Sequence, residues 1–409
     1  MDSKIQPGNE NFRPFFRPAL LHLAPALYAA FDTYPTAKGA STHIYHFART
    51  LFAHRGGGWL HVLGSPKLNP YQYDAETRVE TTRFEAEIPN FLKRVQVYEA
   101  ELFRLLQGQD HLQIAHFRDP WSGVPVLRQQ KKAGYRTVYE INGLPSIELP
   151  YRYPQISPET LHKIRQREQW CWQEADALLV PSGVIRDNLV RLGAAREKIT
   201  VIHNGADIPE TFVPLEDRPP RYILYFGALQ SWQGLPVLLK AFDFLRDLED
   251  LHLVICSANR LKFAKHYLKM VEKMATRERI HWHFQLAKRP LYQWVREAAL
   301  TVAPLSECSR NLEQGCCPLK VLESMALGTP VVASDLPAVR EIIATPELGY
   351  LVRPDRPAVL ARALRVLLEH PEKIAEMGQK AQEHIRQHFT WAQKEAELSA
   401  FYSQLLGQV

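Results

Sequence analysis

The sequence predicts an α/β protein made of two parallel-sheet domains in tandem. Short apolar runs of strand length alternate with stretches in which Leu, Val and Ala recur three and four positions apart, the spacing of an amphipathic helix. This alternation is typical of parallel sheets covered by helices on both faces. The chain has 409 residues, which is more than one hydrophobic core usually supports, so two domains are expected. Each should be Rossmann-like, with its ligand edge at the carboxyl ends of its strands.

The expected strands form two series. The first series consists of ALLHLAPAL, WLHVLG, LQIAHF, TVYEI, ALLVP and ITVIH, and the second of YILYF, LHLVIC, IHWHF, LTVAP, PVVAS and GYLV. Between them lies VPLEDRPPRY, a polar, proline-rich stretch interpreted as a linker. We therefore predict an amino-terminal domain over residues 1–212 and a carboxyl-terminal domain over residues 213–388. The final segment, 389–409, starts with the cap candidate Thr390 and has helical spacing; it either ends the second domain or packs back on the first.

Composition and charge exclude several classes of protein. No apolar run approaches the roughly 20 residues that span a bilayer, and the amino terminus lacks the features of a secretory signal, so a cytoplasmic protein is expected. A net charge of +6 favours acidic partners, but the basic residues are scattered, which argues against nucleic acid. Aromatic and basic residues near the amino terminus suggest peripheral contact with the inner face of the membrane: Phe12, Arg13, Phe15, Phe16 and Arg17.

Cysteine usage indicates neither a disulfide framework nor a zinc site. The chain has five cysteines, and none of them forms a CxxC pair. The vicinal pair Cys316 and Cys317 is either a redox pair or, in the alternative interpretation, two small packing residues. No acidic DxD pair stands at a strand end, so no metal site and no cofactor are expected.

The segment from Arg310 to Asp335, RNLEQGCCPLKVLESMALGTPVVASD, is the most informative part of the chain. A helix is expected to begin at Pro318, because proline is favoured in the first turn. A helix start at the ligand edge of a parallel sheet is a natural diphosphate site. Lys320 in that first turn opposes the helix dipole, which makes sense if an anion lies beside it, and Glu323 could accept hydrogen bonds from ribose hydroxyls. A surface helix with solvated Lys and Glu side chains is the alternative.

This segment resembles the donor-site signature of the retaining family 4 glycosyltransferases (glycosyl transferases group 1). The positions that match run from Cys316, Cys317, Pro318 and Leu319 through Leu322, Glu323, Met325, Ala326 and Gly328 to the stretch Thr329 to Ser334. Further matches are the glycine turn YFGALQSWQG, with Gly227, the segment VPSGVIRDNLVRLGAAREKITVIHNGAD, and the amino-terminal loop PTAKGASTHIYHFARTL. The resemblance implies a GT-B fold, two Rossmann-like domains facing a central cleft, and metal-independent transfer of a sugar from a nucleotide-sugar donor with retention.

Three positions depart from the family pattern. Ala228 stands where the family has an arginine, Gln233 where it has a lysine, and Gly315 where it has the first acidic residue. By resemblance the two cations clamp the diphosphate and the acid touches the donor sugar. We predict that Lys320 and Arg310 supply the missing positive charge, and that they act with Glu323 as the catalytic set.

The remaining site predictions follow the same resemblance. The predicted donor-binding positions are Gly227, Ala228, Gln233, Gly315, Cys316, Cys317, Pro318, Leu319 and Leu286. The predicted acceptor or cleft positions are Lys38, Gly39, Ala40, His116, Arg118, Glu140 and Asn142. His116 and Arg118 are expected to follow a strand and so to reach the ligand edge. Lys38 and Gly39 could also form a plain turn. Relatives carry a histidine near position 142, and Asn142 cannot take over its role.

The expected function is therefore transfer of a sugar from a nucleotide-sugar donor to a glycan, lipid-linked or small-molecule acceptor. The altered clamp positions leave open a non-catalytic GT-B homologue that binds nucleotide or a partner protein. A GT-B epimerase or phosphorylase is a further alternative, and a two-domain sugar-binding protein is a remote one. The base, the sugar and the acceptor are not determined by the sequence.

Overall fold

The computed structural model describes residues 23–36, 39–85 and 87–407. The described residues divide into two compact units, one within residues 23–34 and 51–138 and the other within residues 35–50 and 139–407. These units do not divide the chain at residue 212, and the predicted domain boundary stays a prediction. None of the helices in the described ranges is long and apolar enough to cross a membrane.

The first unit is built on parallel strands with one antiparallel hairpin. Its elements are β1 (Ala26–Thr33), β2 (Gly58–Leu63), β3 (Tyr71–Asp74), β4 (Val79–Phe84), α2 (Phe91–Leu106), β5 (Ile114–Phe117) and α3 (Pro120–Ala133). The strands lie in the order β3-β4-β2-β1-β5. β1 pairs in parallel with β2 and β5, whereas β3 and β4 are antiparallel. The apolar run ALLHLAPAL was expected to form the first strand, but β1 begins only at Ala26, and the β3–β4 hairpin was not predicted, because β3 is exposed on every residue.

Two elements carry the chain from one unit to the other. They are α1 (Gly39–Arg55) and β6 (Arg136–Glu140). α1 ends where Gly56 and Gly57 adopt positive φ, immediately before β2. Gly56 and Gly57 therefore end the helix, and Gly58 begins β2.

The second unit begins with a helical and strand segment that precedes the predicted linker. It contains α4 (Pro145–Arg152), α5 (Pro158–Glu174), β7 (Ala177–Val180), α6 (Gly183–Arg191) and β8 (Ile199–Val201). β6, β7 and β8 are neighbours in that order, and β7 pairs with β8 in parallel. The stretch from Ser146 to Pro154 is mostly the helix α4.

A six-stranded sheet follows the linker. Its strands are β9 (Arg221–Gly227), β10 (Leu251–Ser257), β11 (Ile280–Phe284), β12 (Leu300–Ala303), β13 (Val331–Ser334) and β14 (Tyr350–Val352). They lie in the order β11-β10-β9-β12-β13-β14 and all pair in parallel. The strand order reverses between β9 and β12, and such a switch point is where open α/β sheets bind ligands.

Helices connect these strands and close the chain. They are α7 (Leu235–Asp243), α8 (Lys265–Val271), α9 (Lys288–Glu297), α10 (Leu319–Ala326), α11 (Pro337–Arg340), α12 (Pro357–Leu368), α13 (Pro371–His388) and α14 (Trp391–Leu405). α7 and α12 bury Leu238, Phe242 and Leu364 against β9 and β10, and α10 and α13 bury Met325 and Ile385 against β13. All six strands predicted for this half are present.

The last helix, α14, packs against α1. Thr390 caps it, and Gln393 completes a capping box with the Thr390 backbone. The Trp391 ring stacks on His46 with ring centroids 4.0 Å apart. Glu395 accepts hydrogen bonds from His46 and Arg49. The carboxyl-terminal helix is thus held by ring stacking and ion pairs to α1.

Candidate functional site

The start of α10 lies at the carboxyl-terminal edge of the second sheet, between β12 and β13. Pro318 is the N-cap residue, one position before the first turn in which it was expected, and no side chain caps the helix. The N–H groups of Leu319 and Lys320 therefore have no capping partner among the described residues, whereas the Val321 N–H donates to the Pro318 carbonyl oxygen at 3.0 Å. An uncapped helix start carries a partial positive charge, which favours an anion.

Lys320 places a cation beside this helix start. Its Nζ is buried and has no hydrogen-bond partner in the described ranges. It lies 4.3 Å from the ring centroid of Tyr225 and 3.4 Å from the position that a Cβ on Gly227 would take. Burial lowers the pKa of Lys320 to about 7. A buried ammonium without a partner is costly, so its position favours an anion as the partner.

Arg310 places a second cation in the turn that precedes α10. It lies in a single π-helical turn, Arg310–Gln314. Its Nε is 3.3 Å from a carboxylate oxygen of Glu148, and the guanidinium lies 5.3 Å from the Trp232 ring centroid. Burial works to lower the pKa of Arg310, but Cys316 and Glu148 together raise it. Cys316 also neighbours Lys320, so the two cations predicted to act together do share one neighbour.

Glu323 lies one turn into α10. Burial raises its pKa to about 7, while Lys288, a hydrogen bond from Tyr292 and Lys320 act in the opposite direction. The Tyr292 hydroxyl donates to Glu323 Oε1 at 3.4 Å. Tyr292 was not identified from the sequence. The weak hydrogen bond leaves most of the acceptor capacity of Glu323 unused.

The three departures from the family pattern lie around this helix start. Gln233 has a buried side-chain oxygen with no hydrogen-bond partner among the residues described. The carbonyl oxygen of Ala228 accepts a hydrogen bond of 2.8 Å from the Tyr225 hydroxyl. Gly315 has φ 69°, and a Cβ there would lie 2.8 Å from Val184. A glutamate at position 315 would therefore require both backbone strain and movement of a neighbour.

Cys256 and Cys317 pack in apolar clusters of the second sheet. All five cysteines are free, Cys317 is buried, and Cys316 is partly buried. Asn204 donates to the carbonyl oxygen of Cys317 at 2.8 Å, and its backbone N–H approaches the Cys317 sulfur at 3.3 Å.

Leu286 packs at the edge of an apolar cluster and is partly buried. Its role in donor binding stays a prediction.

Part of the predicted acceptor set lies close to the start of α10. A Cβ on Gly39 would lie 2.7 Å from Leu319 Cδ1, so the amino-terminal glycine loop contacts the start of α10. Ala40 follows in α1, and Lys38 lies outside the described residues. A side chain at position 39 would require the flexible end of Leu319 to move, and Gly39 itself is the first residue of α1.

Glu140 and Asn142 lie at the end of β6, near the turn that precedes α10. Glu140 is buried and 3.1 Å from Nδ1 of His43, and it accepts a hydrogen bond from Asn142. The adjacent Gly143 would place a Cβ 3.0 Å from Nε2 of Gln314. The structure therefore brings this segment next to the π-helical turn that carries Arg310.

His116 and Arg118 belong to the first unit. His116 lies inside β5 and not after it, so its predicted position is wrong: it is fully buried, with its ring 4.8 Å from that of Tyr28. Arg118 donates to Asp32 at 2.6 Å. Sequence spacing does not fix the last residue of a strand, so His116 could be assigned to the loop after the strand although it lies inside it.

Several polar residues that join distant segments of the second unit were not identified from the sequence. Gln314 accepts from the Leu144 N–H at 2.9 Å and donates to Glu148 at 2.8 Å. Glu341 accepts from the N–H groups of Gly183 and Val184 at 2.9 and 3.1 Å. These contacts join segments more than 150 residues apart in the chain, so no local pattern announces them. No group of His, Cys, Asp and Glu within the described ranges could hold a metal ion.

Comparison with known proteins identifies the family. Residues 220–370 match the family described as Glycosyl transferases group 1, and residues 37–210 match Glycosyltransferase Family 4. The chain belongs to the family 4 glycosyltransferases. The gap between the two matched ranges, residues 211–219, overlaps the stretch VPLEDRPPRY.

Relatives of this glycosyltransferase agree with the assignment. It is 29% identical over 285 residues to a D-inositol 3-phosphate glycosyltransferase of Corynebacterium glutamicum, covering 65% of this chain and 66% of the relative. It is 27% identical over 251 residues to an alpha-maltose-1-phosphate synthase of Mycolicibacterium smegmatis, covering 55% of this chain and 62% of the relative. The matched region thus spans slightly under two-thirds of the length of these curated relatives.

Solved structures show that this glycosyltransferase has the GT-B fold. Sucrose-phosphate synthase from Thermosynechococcus elongatus superposes with a TM-score of 0.78 at 17% identity, covering 94% of this chain and all of that chain (100%). Anabaena HepE in complex with UDP and glucose superposes with a TM-score of 0.73 at 16% identity, covering 93% and 99%. The α/β architecture predicted from the sequence is therefore confirmed.

Proposed function

We propose that this chain transfers a sugar from a nucleoside-diphosphate sugar to a glycan, lipid-linked or small-molecule acceptor, with retention and without a metal. The observation that carries the proposal is the buried, unpartnered Nζ of Lys320 beside the uncapped start of α10. A diphosphate bound there would give this ammonium a partner and would accept hydrogen bonds from the open N–H groups of the helix.

The chemistry follows from where charge develops. As the bond between the anomeric carbon and the phosphate oxygen breaks, negative charge grows on the leaving diphosphate. Lys320, Arg310 and the first N–H groups of α10 are fixed before that moment, so their attraction is greater in the transition state than in the ground state. These cations take the role that a metal ion has in other transferases. Glu323 accepts hydrogen bonds from the ribose hydroxyls and orients the donor.

The names of related proteins guide the choice of ligands. HepE was solved with UDP and glucose, which makes UDP-glucose the first donor to test, followed by GDP- and ADP-linked sugars. Relatives named for inositol 3-phosphate and maltose 1-phosphate make phosphorylated polyols and sugars reasonable acceptors alongside glycans and lipid-linked sugars.

A panel of nucleotide sugars, each with and without EDTA, tests the proposal. We expect one donor to raise the melting temperature of the wild type and to be slowly hydrolysed despite EDTA. Lys320→Ala should abolish both effects, whereas Lys240→Ala, which removes an exposed lysine of α7, should leave both unchanged. Sensitivity to EDTA would contradict metal independence. Inversion of the anomeric configuration, measured by NMR on the transferred sugar, would contradict retention.

A second candidate function is binding of a nucleotide without turnover. The positions Ala228, Gln233 and Gly315, which lack the charges of the family pattern, favour it. In that case a nucleoside diphosphate would stabilise the wild type and not Lys320→Ala, but no donor would be hydrolysed and no acceptor glycosylated.

A further inference from the structure

The segment that follows β10 forms a basic surface, which we call the α8 basic face. It consists of the short 3-10 turn Leu261–Phe263 and the helix α8 (Lys265–Val271) with their flanking residues. Its cations are Arg260, Lys262, Lys265, Lys269 and Lys273. They recur at three- and four-residue steps from Lys262 onward, so they lie on one side of the helical segment.

The burial pattern separates the two sides of this segment. Ala264, Tyr267 and Val271 are buried and pack inward, while all five cations are exposed. None of the five cations forms an ion pair with a residue in the described ranges. Glu272 is the single carboxylate in the stretch from residue 260 to 273, so the face carries uncompensated positive charge toward solvent.

Two exposed apolar side chains lie at the start of the α8 basic face. Leu261 and Phe263 are each 55% exposed. Lys262, between them, has its Nζ 5.1 Å from the Phe263 ring centroid. Apolar residues scattered singly over a surface need no explanation, but an aliphatic and an aromatic side chain flanking a lysine at the edge of a basic helix form an amphipathic edge.

We propose that the α8 basic face docks on a bilayer surface of anionic phospholipid. The negative surface potential of such a bilayer attracts the lysines, and Leu261 and Phe263 can enter the boundary between headgroups and acyl chains. The two kinds of side chain are useful together only on a membrane. A polyanion in solution would pair with the lysines and leave Leu261 and Phe263 in water, which is why a lipid surface fits the face better than a nucleic acid or an acidic peptide.

The expected strength can be worked from the charges. Each lysine near an anionic surface contributes about 1 kcal/mol, which is about a five-fold change in the partition coefficient. Removing the charge of Lys265 and Lys269 should therefore weaken binding to anionic vesicles about 25-fold. High salt should weaken the wild type as well, because the attraction is screened within a Debye length.

Co-sedimentation of the full chain with vesicles tests the proposal. The probes are vesicles of phosphatidylcholine alone and vesicles in which part of it is replaced by phosphatidylglycerol, at low and high salt. We expect binding only to the anionic vesicles, its loss in Lys265→Gln/Lys269→Gln, and a marked decrease in Lys262→Gln/Phe263→Ser. The matched control is Lys240→Gln/Phe244→Ser, which removes an exposed lysine of α7 and the residue at its C-cap, a phenylalanine that is 58% exposed. This variant should bind as the wild type does.

Equal binding to both kinds of vesicle, no binding to either, or undiminished binding of the α8 variants would each overturn the proposal. All variants should melt at the wild-type temperature, which shows that they fold. Vesicle binding requires no nucleotide sugar and no turnover. Its failure would therefore leave the proposed transferase activity untouched, and loss of donor hydrolysis in Lys320→Ala would not affect vesicle binding.

Discussion

Replacing Lys320 by methionine should stabilise the protein and weaken donor binding at the same time. Methionine keeps the length of the side chain and removes its charge. Burial lowers the pKa of Lys320 from 10.5 to about 7, and one pKa unit corresponds to about 1.4 kcal/mol. At pH 7 the buried lysine therefore costs at most about 4 kcal/mol of unfolding free energy.

Part of this gain is offset by a lost contact. The ammonium of Lys320 lies over the Tyr225 ring at 4.3 Å, and a desolvated cation–π contact is worth about 1 to 2 kcal/mol. The net gain expected for Lys320→Met is thus about 2 to 3 kcal/mol. Because the unfolded chain binds more protons at this lysine between pH 7 and 10.5, the penalty shrinks as the pH rises through that window, and so should the advantage of the variant.

Donor binding should change in the opposite direction. A hydrogen bond to a charged group contributes about 1.5 to 3 kcal/mol, so the affinity for the nucleoside diphosphate should fall about 10- to 100-fold. Denaturant unfolding without ligand and calorimetric titration with the nucleotide measure the two effects, and Lys240→Met is the control. If Lys320→Met were less stable than the wild type without ligand and bound the nucleotide equally well, Lys320 would be a packing residue and the reasoning would be refuted.

Three further outcomes follow from the same structure. Donor affinity should be greatest near pH 7 and fall on both sides, because Lys320 loses its proton above its pKa of about 7 and Glu323 gains one below its own; an affinity independent of pH across neutrality, measured by titration, would contradict this. Gly234→Ala should unfold the second sheet or cost more than about 3 kcal/mol, since its Cβ would lie 1.6 Å from a carbonyl oxygen. Gly134→Ala, also at positive φ but with nothing within 4 Å, should cost only about 1 kcal/mol in the same denaturant assay. Thr390→Ala should lose the cap of α14 and lower the unfolding free energy by about 1 kcal/mol, and an unchanged melting temperature would argue against the cap.

Local patterns were sufficient for the second sheet. Each of its strands is a short apolar run because both of its faces are buried. The helices between them have apolar residues three and four positions apart because each packs through one face. The start of α10 was also predictable within one residue, since Pro318 and Gly328 mark its two ends by their restricted or permissive backbone. The first half was predicted less well: β3 is exposed along its whole length and β1 begins seven residues after the start of the apolar run assigned to it.

The sequence by itself determined the α/β class, the helix start to within one residue and the unusual lysine in its first turn, because these depend on residues close together in the chain. The tertiary structure decided what those residues meet. Lys320 of α10 lies over Tyr225 of β9, and Arg310 is held by Glu148, 162 residues away. Burial and the identity of a distant partner set the charge state of a side chain, and neither is written in local spacing. That is why the sequence could single out Lys320 as unusual, while only the fold showed that its Nζ is buried with no hydrogen-bond partner among the described residues.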